Sequence, residues 1–141
     1  MTGISLDQAN RIVTAALAKG RELALKPLCV VVLDAGGHPI AMQREDGAST
    51  FRPQIAIGKA AGALGLGISS RKIADMAAER PTFVASLASL APQGLVPAAG
   101  GVILSSTEGT LGAIGVTGDT SDNDEICALA GAEAGQFATS V

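Results

Sequence analysis

The chain has 141 residues, which corresponds to one domain with a substantial core, residues 1–141, and leaves no room for two domains of typical size. Charged residues make up 16% of the chain, against about 25% in an average soluble domain, and hydrophobic residues make up 48%. The net charge of −3 and the lack of Trp and Tyr argue against nucleic-acid binding, which uses basic surfaces and stacking aromatic side chains.

The low charge content also predicts a homo-oligomer. A domain of this size cannot bury so many apolar side chains in its own core, so we expect apolar surface that another copy of the chain covers. No run reaches the roughly 18–20 apolar residues of a membrane helix, and the first residues lack a secretory pattern. We therefore expect a cytoplasmic protein with no membrane partner. Cys29 and Cys127 lack CxxC spacing and are expected to be buried thiols.

The predicted elements alternate between helices and hairpins. Helices are assigned where apolar residues recur at spacings of three and four, and strands where β-branched residues cluster between turn residues. In chain order they are a helix over 5–25, strands over 28–34 and 39–44, helices over 52–66, 70–80 and 81–90, strands over 102–105 and 111–117, and a helix over 121–137. Hairpins imply an antiparallel sheet, so the pattern predicts an α/β fold of the α+β kind and not a doubly wound parallel one.

Local signals define two helix starts and one unusual helix. Ser5 and Gln8 have the spacing of a capping box, and Ser121 is the expected cap of the last helix, whose first-turn acids complement the helix dipole. The helix over 52–66 contains three glycines, each of which costs a helix up to about 1 kcal/mol. We expect that a sheet or a partner helix approaches its backbone closely.

Five segments together resemble the GlcG/HbpS family, which includes the C-terminal domain of PduO-type cobalamin adenosyltransferases. They are VVLDAGGH (31–38), REDGA (44–48), KA (59–60), GAIGVTG (112–118) and NDE (123–125). The resemblance covers nearly the whole chain. It implies a profilin-like antiparallel sheet of about five strands flanked by helices, an oligomer, and, in some members, binding of haem or another tetrapyrrole. Many members accompany catabolic operons.

The resemblance also points to a glycine loop. Family members often carry Pro-Gly-Gly-x-Pro before the third strand, whereas this chain has Ala99-Gly100-Gly101-Val102-Ile103 and lacks both prolines. Because that loop shapes a ligand site in the family, the resemblance makes Gly100 and Gly101 candidate cofactor-binding residues. It assigns no haem ligand by identity.

His38 is the only histidine and lies in the glycine turn after the first strand. A turn histidine is often simply solvated, but imidazole is also a common metal ligand, and an axial haem ligand needs only one residue. A closed zinc site needs several ligands in one chain, and no such spacing occurs, so no metal site is predicted. If the chain binds haem, His38 is the candidate axial ligand.

Three charged residues, Arg44, Asp46 and Lys59, form the second group of candidates. Arg44 and Asp46 flank the turn after the second strand, where they can form a local ion pair or where Arg44 can capture a carboxylate. Lys59 lies in the apolar helix and either extends to solvent or lines a pocket as a base or nucleophile. The Asp46 turn and the start of the last helix, with Asp122 and Asp124, are within its reach.

The sequence therefore predicts a small-ligand-binding protein of a catabolic pathway, with haem, another tetrapyrrole or a small organic acid as candidate ligand. The alternative is a small cofactor-free enzyme, an isomerase or lyase, in which Lys59, Asp46 and Arg44, with Asp124, serve as acid–base and anion-binding groups. A third hypothesis is a structural partner of an operon enzyme. No serine-hydrolase elbow or phosphate-loop spacing occurs to favour another class of enzyme.

Overall fold

The computed structural model describes residues 3–141, which form five helices and four strands. In chain order these are α1 (Leu6–Glu22), β1 (Cys29–Asp34), β2 (Pro39–Arg44), α2 (Arg52–Leu66), α3 (Ser70–Glu79), α4 (Pro81–Leu87), β3 (Gly101–Ser106), β4 (Gly109–Thr117) and α5 (Ser121–Ala134). The mixed α+β class and every predicted element are confirmed. Helices α1, α4 and α5 end three residues earlier than predicted.

The early ends of α1 and α5 have a common cause. Ala24 and Gln136, two residues beyond the last helical residue, have positive φ values of 55° and 63°. The next N–H, of Leu25 or Phe137, then donates to a carbonyl five residues back, the bond that closes a Schellman motif. The apolar residues after each helix pack onto it without continuing it.

The four strands form one antiparallel sheet in the order β2-β1-β4-β3. The family resemblance implied about five strands, which is only approximate for this chain. The segment after α5 contributes a single bridge between Ser105 and Ala138 at the β3 edge and no further strand among the described residues. β1 is central, and both of its faces are buried, which explains its nearly unbroken apolar sequence.

Helices cover both faces of the sheet. α1 and α5 pack on the face that carries Val30, Val32 and Val116, and α2 packs on the face that carries Val31 and Leu33. Cys29 and Cys127 are buried free thiols, as predicted, and they lie on opposite sides of the sheet. No helix within residues 3–141 is long and apolar enough to cross a membrane.

The small residues of α2 permit close contact on two sides. A Cβ at Gly115 of β4 would lie 2.1 Å from the backbone oxygen of Ala56, so the backbones of β4 and α2 are in direct contact there. On another side, a Cβ at Gly58 would lie 2.6 Å from Cγ2 of Val96. The expected close approach is therefore made by the sheet and by the loop before β3.

The start of α5 corrects one prediction. Thr120 is the N-cap, because its hydroxyl accepts the Asn123 N–H at 3.2 Å, and Ser121 is already the first helical residue. Asp122 and Asp124 lie in the first turn, as expected for a helix N-terminus. Asp122 is exposed, whereas Asp124 points into the protein.

Candidate functional site

Lys59 and Asp124 form an ion pair in the interior. Their side chains are 3% and 2% exposed, and Nζ lies 3.1 Å from Oδ2. Nζ also donates to the backbone oxygen of Val116 at 3.0 Å, and Oδ1 of Asp124 accepts the Asp119 N–H at 2.9 Å. The pair therefore connects α2, the end of β4 and the start of α5.

The surroundings of Lys59 disfavour its charge. Burial lowers the pKa of its ammonium, and the attraction and hydrogen bond of Asp124 oppose this effect. Arg52, which donates to the Thr117 hydroxyl at 2.8 Å, adds a small repulsion in the same direction as burial. Of the partners considered from the sequence, Asp124 is the one that Lys59 contacts, and the side chain does not extend to solvent.

Gly100 and Gly101 lie directly against this ion pair. A Cβ at Gly100, where φ is +127°, would be 2.4 Å from the Val116 oxygen and 3.0 Å from Lys59 Nζ. A Cβ at Gly101 would be 2.2 Å from the Lys59 backbone oxygen, and the Gly101 N–H donates to the Ser70 hydroxyl at 2.7 Å. Both glycines are thus packed against the chain itself.

Arg44 and Asp46 are near this end of the sheet but separate from the ion pair. Cys29 lies opposite Arg44 on one side and Thr117 on the other, so two strand spacings, about 10 Å, separate Arg44 from Thr117. Both Arg44 and Asp46 are exposed. The structure does not join them to Lys59 in one group.

His38 lies at the opposite end of the sheet. The length of β2, about 20 Å, separates it from Arg44. Asp34 organises the turn, since its Oδ1 accepts the N–H groups of Gly36 and His38, each at 2.9 Å. The His38 side chain is 79% exposed, and its Nδ1 lies 3.5 Å from the same Asp34 oxygen.

A cleft of about 420 Å³ lies beside the His38 turn. It is bounded by that turn, by the C-terminal half of α2 and by the segment between α4 and β3. The lining residues are Ala35, Gly36, Gly37, Ala61, Gly62, Leu64, Gly65, Leu66, Leu87, Leu90, Ala91, Pro92, Gln93, Gly94 and Leu95. None of these described residues is charged. His38 is not among the lining residues; its ring lies beside Gly36, with Cε1 and Nδ1 each 3.1 Å from the position of a Cβ there.

Sequence reasoning did not find this cleft. The three segments that line it are about 25 residues apart in the sequence, and each has the composition of an ordinary turn, helix or loop. The available signal was the concentration of glycine and leucine over 61–66 and 87–95.

A second cleft, of about 360 Å³, lies between the start of α1, the β3–β4 turn and the residues after α5, and its lining is mainly polar. Neither cleft is lined by Lys59, Arg44, Gly100 or Gly101. Within residues 3–141, no group of three or more His, Cys, Asp or Glu side chains is placed to hold a metal ion.

The fold and the first cleft define a class of protein, an α+β domain whose antiparallel sheet carries helices on both faces beside an apolar cleft in the size range of small-molecule sites. The model of the family described as "Haem degrading protein HbpS-like" matches residues 4–133. The chain therefore belongs to the HbpS-like family, and the resemblance seen in the sequence is confirmed.

Several solved structures share the fold. Klebsiella pneumoniae protein ORFY is 26% identical with a TM-score of 0.84, and the match covers 94% of this chain and 90% of that one. HbpS is 27% identical with a TM-score of 0.81 and the same coverage. A complex of PduOC with haem has a TM-score of 0.88 over 99% of this chain and 100% of that one, and its 21% identity shows the fold alone. No curated protein matches the sequence.

Proposed function

We propose that this chain binds haem or a closely related tetrapyrrole in the 420 Å³ cleft beside His38. The observation that carries the proposal is the cleft itself, a concave apolar site lined in part by the turn that precedes His38. The family description refers to haem, and PduOC, which shares the fold, forms a complex with haem. Both support a tetrapyrrole over other small molecules.

The residues present fit such a group. Aliphatic side chains and glycines suit the apolar face of a macrocycle, and glycines let a flat ligand approach the backbone. Nδ1 is the His38 nitrogen nearer to Asp34, an arrangement that leaves Nε2 to act as a metal ligand. When bound, haem would supply an iron centre for ligand or electron chemistry.

Titration of the purified protein with haem, followed at the Soret band, tests the proposal. We expect saturation at a fixed ratio. Gly65 lines the cleft, and a Cβ there would meet no side chain within 4 Å, so Gly65→Leu adds a bulky side chain at the cleft without displacing the core. Binding should weaken at least about tenfold. Thr14→Leu, on the exposed face of α1 across the sheet, is the matched control. Unsaturable binding, or equal affinity in Gly65→Leu, contradicts the proposal.

The axial ligand has its own test. His38→Ala should shift the Soret maximum and weaken haem binding, because iron loses a coordinating nitrogen. An unchanged spectrum and affinity would remove His38 from the site while leaving the cleft in place. The far-UV circular dichroism of the variant serves as the folding control.

The proposal includes a homo-oligomer acting in the cytoplasm within a catabolic pathway. Large apolar side chains remain exposed on the single chain, among them Phe51 at 72% and Leu6 at 58%, and Met42 is 44% exposed on the edge strand β2. Such residues are typical of surfaces that another copy covers. Sedimentation velocity at micromolar concentration should give a stable oligomer, and a clean monomer would contradict this part.

The other hypotheses have less geometric support. A small organic acid would need a cation, and none lines the cleft among the described residues. A catabolic enzyme using Lys59, Asp46 and Arg44 would need one substrate to reach all three, yet Lys59 is buried and the other two are exposed and apart from it. Turnover of a pathway intermediate that is lost in Lys59→Met while the fold persists would favour the enzyme.

A further inference from the structure

We infer that the cleft selects among tetrapyrroles by the edge of the macrocycle that enters it. It accepts an edge that carries only alkyl or vinyl groups and rejects an edge that carries carboxylates. The inference rests on the proposed function, because it assigns a specificity to the same cleft.

The lining cannot neutralise a carboxylate. Fourteen of its fifteen residues are Ala, Gly, Leu or Pro, and Gln93 is the one polar side chain among them. Its Oε1 would lie 2.8 Å from a Cβ at Gly37, so the amide already packs against the turn. An ionised carboxylate that loses water without gaining a cation or several donors is strongly disfavoured.

The fixed charges around the cleft have the wrong sign for an anion. α2 ends at the cleft with Leu66, and the carbonyl end of a helix carries about half a negative charge. The Asp34 carboxylate stands at the turn, 3.4 Å from the position of a Gly36 Cβ. Both features repel a carboxylate that enters the cleft.

The cations of α2 are too far away to compensate. Arg52 is the first residue of this helix, and the helix first lines the cleft at Ala61, so about 14 Å of helix separates the arginine from the cleft. Lys59 is held by Asp124 on the sheet side. The carboxylates of a bound tetrapyrrole must therefore remain outside the cleft, in water or against another copy of the chain.

Three iron porphyrins that differ along one edge test this directly. Haem carries two vinyl groups there, mesohaem carries two ethyl groups, and coprohaem carries two further propionates in their place. In Soret titrations at neutral pH, we expect mesohaem to bind within about threefold of haem and coprohaem to bind at least about tenfold more weakly, which is about 1.4 kcal/mol.

A charge added to the cleft should weaken the preference. Gln93→Lys keeps a long flexible side chain and introduces an ammonium, so the ratio of coprohaem to haem dissociation constants should fall about tenfold. Gln93→Met is the matched neutral control and should leave that ratio unchanged. The readout is a ratio of affinities, so a general loss of stability in either variant cancels.

The outcomes distinguish a failure of this specificity from a failure of the proposed haem binding. If coprohaem binds as tightly as haem and Gly65→Leu weakens both, the specificity is wrong and the proposed cleft stands. If coprohaem is weak but Gln93→Lys does not change the ratio, the electrostatic argument is wrong. If haem does not saturate, or Gly65→Leu has no effect on it, the proposed function and the inference are both overturned.

Discussion

Replacing Lys59 with Met measures how much of the stability depends on the interior ion pair. Methionine keeps most of the apolar stem, so the change removes the ammonium and leaves little cavity. Asp124, 2% exposed, would keep the hydrogen bond from the Asp119 N–H and lose its only cationic partner in the described structure. The backbone oxygen of Val116 would lose a donor as well.

The expected loss follows from that burial. Removing one partner of a buried pair destabilises a protein by about 3–5 kcal/mol, because the remaining charge is left without compensation. For a domain of this length, about 3 kcal/mol corresponds to a fall of about 10 °C in Tm. In Lys59→Met with Asp124→Asn, the buried charge is gone and the Asp119 N–H keeps an acceptor, so about 1–2 kcal/mol should return.

Urea unfolding followed by far-UV circular dichroism is the suitable assay, since the chain has no Trp or Tyr to report by fluorescence. Lys19→Met is the control, because Lys19 forms an exposed pair with Glu22 at 3.4 Å and should contribute less than about 1 kcal/mol. The reasoning is refuted if Lys59→Met unfolds within about 1 kcal/mol of the wild type, or if the double variant is no more stable than Lys59→Met. A folded Lys59→Met that loses haem binding would move the site to the ion pair.

Three further predictions concern stability and reactivity. Gly101→Ala should lower the free energy of unfolding in urea by about 2–3 kcal/mol, because its Cβ would overlap a backbone oxygen of α2. Gly65→Ala should raise it by up to about 1 kcal/mol, because alanine favours the helix. Equal effects of the two variants would contradict the packing. Burial raises the pKa of Cys29 and Cys127 to about 11, so both thiols should resist a thiol reagent at about pH 8 until the protein unfolds. Since their unfolded value is 9.0, the folded state holds these protons more tightly and stability should fall between pH 9 and 11. Hydrogen bonds, of which that from the Asn123 side-chain amide has the largest effect, lower the pKa of Asp119 from 3.8 to about 2. Its contribution to stability is therefore present above pH 3.8 and is lost as the pH falls towards 2. Asp119→Asn should make the acid limb of a urea-midpoint profile shallower, and an unchanged limb would exclude this carboxylate as a cause.

The local architecture was predictable because it depends on neighbours in the chain. The spacing of apolar residues located the helices, and the β-branched run located β1 with both faces buried. The capping box of Ser5 and Gln8 is present, with bonds of 2.9 and 3.1 Å. Where a choice between neighbours depended on exact backbone geometry, as between Thr120 and Ser121 for the cap of α5, sequence reasoning selected the wrong residue.

The family was also predictable, because its motifs are short segments whose order survives in the sequence. The candidate site was not predictable from the sequence, because it depends on which distant segments of the chain come into contact. Lys59 pairs with Asp124, 65 residues away, only because α2 and α5 both reach the end of β4. The separation of His38 and Arg44, by contrast, follows from the predicted strand that lies between them. The apolar cleft exists because the loop before β3 folds back over α2, and no local pattern of glycine and leucine distinguishes a residue that lines such a cleft from one that fills a core.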